Sequence, residues 1–387
     1  MYMLQNVLNN LKNINHLIKV YILNLILSSS RKNCSAMSDS IGSSRKELYS
    51  FLSNSKKHSE EIEKELISLA KATRKKDVLR TLVIDPTSII KQYSQRIEKV
   101  CYDRSGCTGR TESCLVPAYC TIVDQNVTIP VNIDFWVQEK IVGKKRYRSK
   151  VQIAQELIIY AINNGIEFDF VSLDGAFCGP DMFAFFKENK LKFSMRIPRN
   201  RKIKIEDESH IQLQNYTKLK LVRNEKAKTV KSELYGDTYF FTSHKRKKRT
   251  GGYETVFIVS NMDLPAKEQV AAYDLRWRME KMIRTSKQKL GTTQCQVLSS
   301  SKQRAHILAG FLAYAIIDLV KNDKKKQSVD EVIKIIRKSY FDDLINPIEE
   351  TKHSKFNDKI DPVANYVQNS FKDLMKNEIQ SMFQANS

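Results

Sequence analysis

The sequence predicts an α/β protein with a mixed β-sheet, preceded by an all-helical region. Residues 1–78 carry helical patterns, whereas from residue 79 short runs rich in Val, Ile and aromatic residues alternate with amphipathic helical segments. The 387 residues are enough for two or three domains. We therefore expect a helical N-terminal region at 1–78, an α/β domain at 79–320 with a β-rich insertion at 201–263, and a helical C-terminal tail at 321–387.

Composition favours a polyanionic partner. Lys plus Arg outnumber Asp plus Glu by 65 to 43, which gives a net charge of +22. Such an excess suits nucleic acid first and an anionic membrane surface second. The apolar run Ile18–Leu27 is shorter than the ~20 residues that a membrane span needs. We expect it to form a buried helix.

The cysteines favour a reducing cytoplasm. There are seven in a long chain, which does not suit a disulfide framework. Cys101, Cys107, Cys114 and Cys120 cluster, but their gaps are wider than those within the usual ligand pairs of a zinc site. Free thiols are the favoured interpretation.

A helix-turn-helix is compatible with part of the N-terminal region. Residues 35–52 predict a short helix, a turn at Gly42 and a second helix with Ser43 or Ser44 as N-cap. The second helix could enter the major groove of DNA, or the two helices could simply pack together.

The order of elements from residue 81 is that of a ribonuclease H-like fold, with a strand, a hairpin, a helix, a strand, a helix and a strand. A β-rich insertion and a last helix carrying Glu280 follow. Asp85 ends the first strand and Asp174 ends the strand after the first helix. The predicted elements are Thr81–Thr87, Pro117–Val137, Ser149–Gly165, Phe168–Phe177, Pro180–Lys190 and Lys192–Asn200.

The last helix is predicted over Tyr273–Lys287. At ~3.6 residues per turn, Tyr273, Arg276, Glu280 and Lys287 fall within roughly 60° of one another on one face. An aromatic hydroxyl, a carboxylate and two cations on one face suit a metal ion and phosphates. The alternative is a solvated face held by pairs four residues apart.

Three carboxylates, Asp85, Asp174 and Glu280, would converge in this fold. Carboxylates this close repel one another unless cations neutralise them, and two Mg²⁺ or Mn²⁺ ions are fitting partners. Two such ions support in-line attack at phosphorus. Asp85 before Pro86 and Asp174 before Gly175 could instead be turn residues, and Asp134 competes because it also lies in a predicted strand.

The chain resembles DDE transposases of bacterial insertion sequences, in the branch marked by a Tyr-(2)-Arg-(3)-Glu-(6)-Lys (YREK) signature. Tyr273, Arg276, Glu280 and Lys287 match that spacing, and the Arg276–Trp277 pair is also typical of the branch. IDPT around Asp85 and SLDGAF around Asp174 resemble its first and second acid motifs. The resemblance covers about residues 80–320.

The resemblance implies roles for these residues. Asp85, Asp174 and Glu280 would form the catalytic, metal-binding triad. Tyr273, Arg276 and Lys287 would contact phosphates at the transposon end, and the β insertion would help to hold it. We expect Trp277 to pack in the core, and stacking on a DNA base is the alternative.

A basic run within the insertion adds a second DNA-binding candidate. It is KRKKR, followed by two glycines and flanked by strands. It could be a solvated hairpin tip or a loop that contacts phosphates. Its residues are Lys245, Arg246, Lys247, Lys248 and Arg249.

The sequence therefore predicts a cytoplasmic, nucleoid-associated bacterial transposase. It would cut double-stranded DNA at transposon ends and join the 3′-hydroxyl to target DNA. The resemblance also implies a homodimer on DNA. No membrane and no small-molecule substrate are expected. The alternatives are a metal-dependent nuclease of the same fold and an inactive, transposase-derived DNA-binding protein.

Overall fold

The computed structural model describes residues 7, 10, 14–91, 96–106, 108–205, 209–248, 251–321 and 327–351. The strands and helices predicted within residues 81–200 are present. The helices are α1 His16–Leu27, α2 Cys34–Ile41, α3 Arg45–Ser53, α4 Ser55–Ala72, α5 Glu139–Val142, α6 Lys150–Asn163, α7 Pro180–Glu188, α8 Ala266–Asp274, α9 Arg276–Gln288, α10 Ser300–Val320 and α11 Val329–Thr351.

The strands lie between α4 and α8. They are β1 Thr81–Pro86, β2 Ile89–Ile90, β3 Cys101–Arg104, β4 Thr111–Val123, β5 Thr128–Trp136, β6 Phe170–Leu173, β7 Phe193–Ile197, β8 Lys202–Lys204, β9 His210–Gln212, β10 Ala227–Leu234, β11 Asp237–Lys247 and β12 Tyr253–Ser260.

The chain divides into two compact units. One is drawn from Met1–Ser68, Ile90–Val100 and Met282–Ser387, and we call it the helical unit. The other is drawn from Leu69–Ile89 and Cys101–Lys281, and we call it the sheet unit. The domain boundaries proposed from the sequence, at residues 78 and 320, stay predictions.

The sheet unit has a ribonuclease H-like core, which confirms the predicted fold class. Strand β4 pairs antiparallel with β1 and β5, and β6 and β7 continue the sheet from β1 as parallel neighbours. Helix α6 packs on β1, β4 and β5. It begins at a capping box between Ser149 and Gln152, and Gly165 follows its end at φ 64°.

The predicted β insertion extends this sheet. Strand β12 pairs antiparallel with β7, and β11, β10, β8 and β9 follow outwards in that order. The insertion therefore shares one sheet with the strands that carry the two aspartates.

The helical unit is built around α1. Its residues from Ile18 to Leu27 are buried on every side, as the apolar run predicts, and α2, α3, α10 and α11 pack against it. Helices α2 and α3 are joined at Gly42, which has φ 72°, so the predicted helix–turn–helix arrangement is present. Its binding to DNA stays a prediction.

Helix α10 is, among the described helices, the one long and apolar enough to cross a membrane. Buried residues make up 83% of its apolar window. A core helix of a globular protein has this character, and α10 packs on α1 and α11 in the helical unit.

Candidate active site

Asp85 and Asp174 lie side by side at one edge of the sheet. Strands β1 and β6 are parallel, with Ile84 opposite Leu173, so the next residues along are Asp85 and Asp174. Neighbouring strands lie ~4.8 Å apart, and residues at the same level share a face. Each aspartate is partly exposed. The register thus brings together two carboxylates that are distant in sequence.

The third carboxylate comes from α9. The sequence predicted one helix from Tyr273 to Lys287, but α8 ends at Asp274 and α9 begins at Arg276. Leu275 between them keeps helical dihedral angles, with φ −55° and ψ −32°. The interruption is therefore confined to one residue, but Tyr273 lies on a different helix from Glu280.

Arg276 contacts two of the three carboxylates. Its Nη2 donates to Glu280 Oε1 at 2.5 Å, one turn along α9, and its Nη1 lies 3.5 Å from Asp85 Oδ2. Its guanidinium carbon is 5.6 Å from the centre of the Tyr273 ring. Its side chain is only 9% exposed, against 22% for Asp85 and 29% for Glu280. A nearly buried cation thus bridges two carboxylates that themselves reach solvent.

The surrounding charges keep Arg276 ionised. Burial lowers the pKa of its guanidinium, but Tyr273, Asp85, Glu280 and Asp174 raise it in that order, and the net pKa lies above its usual value. Asp174 therefore belongs to the same electrostatic cluster as Asp85 and Glu280.

Tyr273 is buried beside this cluster. Burial raises the pKa of its hydroxyl, so it stays protonated at neutral pH. Arg276, whose guanidinium lies beside the Tyr273 ring, opposes this rise without cancelling it. The hydroxyl thus lies next to the cation that contacts the carboxylates.

The donor set fits a hard divalent cation. Carboxylate oxygens are the ligands that Mg²⁺ and Mn²⁺ prefer. Within the described part of the chain, however, no three Asp, Glu, His or Cys side chains converge closely enough to hold a metal as they stand. In this arrangement the Arg276 guanidinium contacts both Asp85 and Glu280. Before Asp85 and Glu280 could bind a metal ion, Arg276 would have to break its contacts with them.

Asp134 does not join the cluster. It lies on β5, opposite Ala118 of β4, which in turn lies opposite Pro86 of β1. Two strand spacings, or roughly 10 Å, thus separate it from β1. Its Oδ2 instead pairs with Arg148 Nη1 at 2.7 Å. The competing carboxylate therefore has a structural partner elsewhere.

Arg196 is a neighbour of Asp174 that the sequence did not predict. Met195 of β7 lies opposite Leu173, so Arg196 stands at the level of Asp174 on the next strand. Gly175 lies beside it, because a Cβ built there would be 3.4 Å from the Arg196 carbonyl oxygen. A cation at the end of an apolar strand was the available clue.

A basic groove continues from Arg196 across the insertion. It has a volume of about 780 Å³. Its cations are Arg196, Arg199, Lys220, Lys245 and Lys248, and Glu254 is the acid among its described lining residues. This groove lies within the sheet unit and has the charge expected of a surface that follows a phosphate backbone.

The predicted basic run occupies the end of β11 and the turn after it. Lys245 donates to the carbonyls of Val222 and Arg223, and Arg246 pairs with Glu254 at 2.5 Å. Lys247 and Lys248 are exposed. Arg249, the last member of the run, lies outside the described residues.

Lys287 and Trp277 are two further residues of α9 for which the sequence made a prediction. Lys287 lies in the last turn of the helix, within the helical unit, and its contact with DNA stays a prediction. Trp277 is 38% exposed, so the expectation that it packs in the core is wrong. It follows Arg276 by one residue, which turns it about 100° away from the face of Arg276.

A comparison with protein families gives the site its context. Residues 6–233, more than half of the chain, match the family described as DDE superfamily endonuclease. The match includes Asp85 and Asp174 and ends before Glu280, whose place beside them comes from its contact with Arg276. A search of curated proteins found no match. The chain belongs to the DDE superfamily endonuclease family, whose members are nucleases or transposases that act on DNA.

Proposed function

We propose that this protein is a DNA transposase that cuts at transposon ends and joins the freed 3′-hydroxyl to target DNA. One observation carries the proposal. Asp85 and Asp174 end adjacent parallel strands at the same level, and Arg276 links Asp85 to Glu280 on the following helix. This cluster has the residue types that phosphoryl transfer needs, in a chain of a DNA-cutting family.

The three carboxylates are proposed to hold two Mg²⁺ or Mn²⁺ ions. When bound, such ions activate the attacking oxygen and stabilise the leaving oxygen of an in-line displacement. Asp85, Asp174 and Glu280 would hold the ions, and Tyr273 and Arg276 would be available to the phosphate once Arg276 leaves the carboxylates.

The proposed reaction has two steps. In the first, water attacks a phosphodiester, a new P–O bond forms, and the bond to the 3′ oxygen breaks to release a 3′-hydroxyl. In the second, that hydroxyl attacks a phosphodiester of the target, and the displaced target strand leaves with its own 3′-hydroxyl. Each step exchanges one P–O bond for another, so no protein–DNA bond is formed.

DNA would run from the carboxylate edge into the basic groove. Arg196 lies at both, because it neighbours Asp174 and also lines the groove. The exposed Lys247 and Lys248 extend the positive surface. We expect Lys287 to add a phosphate contact, as its place in the YREK spacing suggests.

The remaining features of the proposal follow from the chemistry. Both ends of an element must be held for excision, so we propose a homodimer on DNA. By its resemblance to transposases of bacterial insertion sequences, we propose that it acts in the bacterial cytoplasm, at the nucleoid. A nuclease of the same fold would share every carboxylate and lack strand transfer.

The test uses duplex DNA that carries the terminal repeats flanking this reading frame, with labelled strands and a supercoiled target. The wild type should cleave at the repeat ends with Mg²⁺ and should join the labelled 3′ end to the target. Asp174→Asn should bind the repeats and do neither. The control is Asp134→Asn, which removes a carboxylate of the same sheet that lies away from the cluster.

Two results would decide against parts of the proposal. Cleavage without joining would identify a nuclease. If the wild type and Asp174→Asn bind equally and neither cuts, the protein is an inactive DNA-binding relative.

A further inference from the structure

A second cationic cavity lies in the helical unit, and the proposed chemistry does not use it. It has a volume of about 210 Å³. It is lined by the segment between α1 and α2, the turn after α9, and α11. Its cations are Arg31, Lys32, Lys289 and Arg337, and none of its described lining residues is acidic.

Lys32 forms the floor of this cavity. The residue is only 3% exposed, and its Nζ donates to the carbonyl oxygen of Ser28. Its backbone N–H donates to Gln294 Oε1 at 2.6 Å, which ties it to the turn after α9. Gly291 makes this approach feasible, because it has φ +63° and a Cβ there would come 2.2 Å from Lys32 Cγ. The absence of a side chain at Gly291 therefore leaves room for the Lys32 side chain against this turn.

Arg337 closes the cavity from α11. Its Nε donates to Ile26 O at 2.7 Å and its Nη2 donates to Lys289 O at 2.8 Å. A guanidinium has five N–H donors and an ammonium three. These contacts leave donors on both Arg337 and Lys32 that can serve an anion. Ser29, Arg31 and Gln288 are exposed at the rim, so the cavity opens to solvent.

The charges around this cavity repel one another. Burial and the neighbouring Arg337 lower the pKa of Lys32 to about 6. Nearby, burial lowers the pKa of Lys91 to about 8, with a further contribution from Arg31. Burial also lowers the pKa of His306 to about 4, and Lys91 and Lys32 lower it further. Desolvated cations without a counter-ion are costly, and a bound anion would remove that cost.

We propose that this cavity binds a phosphate group of a DNA backbone, held by Lys32 and Arg337 on its floor and wall. The volume of about 210 Å³ leaves room for a phosphate group, because one water molecule needs only about 10–15 Å³ of such space. A guanidinium beside an ammonium is a recurrent way of holding phosphate oxygens. The site lies in the helical unit, and the inference does not depend on strand cleavage or joining.

Binding is coupled to a proton. Arg337 is the charged group that disfavours the protonated form of Lys32, and Arg31 and Lys289 line the same cavity. Lys32 in turn lowers the pKa of His306. A phosphate supplies the missing negative charge, so Lys32 takes up a proton when it binds. Affinity for phosphate therefore falls as the pH rises above about 6.

The test compares Lys32→Met with Lys334→Met in the full-length protein. Each replaces a lysine by methionine, but Lys334 is exposed on α11 and does not line the cavity. Thermal unfolding is followed at pH 6 with inorganic phosphate against chloride at equal ionic strength. Binding of duplex DNA is measured over a range of salt.

We expect phosphate to raise the Tm of the wild type and of Lys334→Met but not that of Lys32→Met. The affinity of Lys32→Met for DNA should fall by at least about tenfold, because a charge-assisted contact is lost. Its salt slope should become shallower by about one. Without phosphate, Lys32→Met should unfold no earlier than the wild type, because it removes a buried charge.

The outcomes separate the sources of phosphate. Loss of the phosphate response in Lys32→Met, with DNA binding equal to that of Lys334→Met, would assign the cavity to free phosphate. Loss of both would support a backbone phosphate. If phosphate shifts the Tm of Lys32→Met as much as that of the wild type, or shifts neither, the site does not exist.

Discussion

Removal of Arg276 should destabilise the sheet unit in a way that divalent metal repairs. The change is Arg276→Met, which keeps much of the apolar stem and deletes the guanidinium. Asp85 and Glu280 then lose their shared cation, and Asp174 loses a nearby positive charge. Three neighbouring carboxylates would face one another without neutralisation.

The size of the effect follows from burial. Deleting one partner of a buried ion pair typically costs about 3–5 kcal/mol. The carboxyl side chains here are 22% and 29% exposed, so solvent screens part of the repulsion. A loss of about 1–3 kcal/mol is expected. For a unit of this size, that corresponds to a fall in Tm of about 2–12 °C.

The assay is thermal unfolding with EDTA and then with a series of Mn²⁺ concentrations. Mn²⁺ should stabilise Arg276→Met more than the wild type, because no guanidinium competes for the carboxylates. At 100 times its dissociation constant, an ion contributes about 2.7 kcal/mol. The matched control is Arg148→Met, which removes an arginine that pairs with Asp134 and Glu156 in the same unit.

The difference in Tm between Arg148→Met and the wild type should be the same in Mn²⁺ as in EDTA. The reasoning would be refuted if Arg276→Met and Arg148→Met responded to Mn²⁺ alike. It would also be refuted if Arg276→Met were as stable as the wild type in EDTA.

Three further outcomes are expected. Arg80 is fully buried and donates to Asp124 Oδ2 and to the carbonyls of Ala70 and Thr73. Arg80→Met should therefore lower the free energy of unfolding by about 3–5 kcal/mol, as measured by urea denaturation. An unchanged urea midpoint would contradict this. The folded state binds fewer protons than the unfolded chain between pH 4 and 6.5 at His306 and between pH 6 and 10.5 at Lys32. The free energy of unfolding of the helical unit should therefore rise with pH through both windows, by at most about 1.4 kcal/mol per pH unit for each group. A free energy of unfolding that does not change with pH would exclude the lowered pKa values. Lys248→Met should make the salt dependence of DNA binding shallower by about one, whereas Lys231→Met, on β10 and outside the basic groove, should leave the slope unchanged.

The core of the fold could be predicted because its local patterns agree with its topology. Apolar runs end in Asp85 and Asp174, and parallel neighbours place such ends at one edge of a sheet. Helical spacing placed Arg276 and Glu280 one turn apart, as the structure has them. Both inferences use only short stretches of chain and the repeat of a regular element.

What the sequence did not reveal depends on contacts between distant segments. The approach of Arg276 to Asp85 joins residues on different elements, so no local pattern encodes it. The same holds for Arg196, whose position follows from strand register. Lys32 is a single lysine in a polar stretch, and only its packing against Gly291 shows that it is buried.

The central claim is that Asp85, Asp174 and Glu280 act as one catalytic unit. The most direct measurement is single-turnover cleavage of terminal-repeat DNA with Mg²⁺ by Asp85→Asn, Asp174→Asn, Glu280→Gln and the double variant Asp85→Asn/Asp174→Asn, with Asp134→Asn as control. We predict that each single variant cleaves at background rate, that the double variant is no worse, and that Asp134→Asn cleaves like the wild type. Wild-type cleavage by any of the three single variants, or loss of cleavage in Asp134→Asn with its fold intact, would contradict the account.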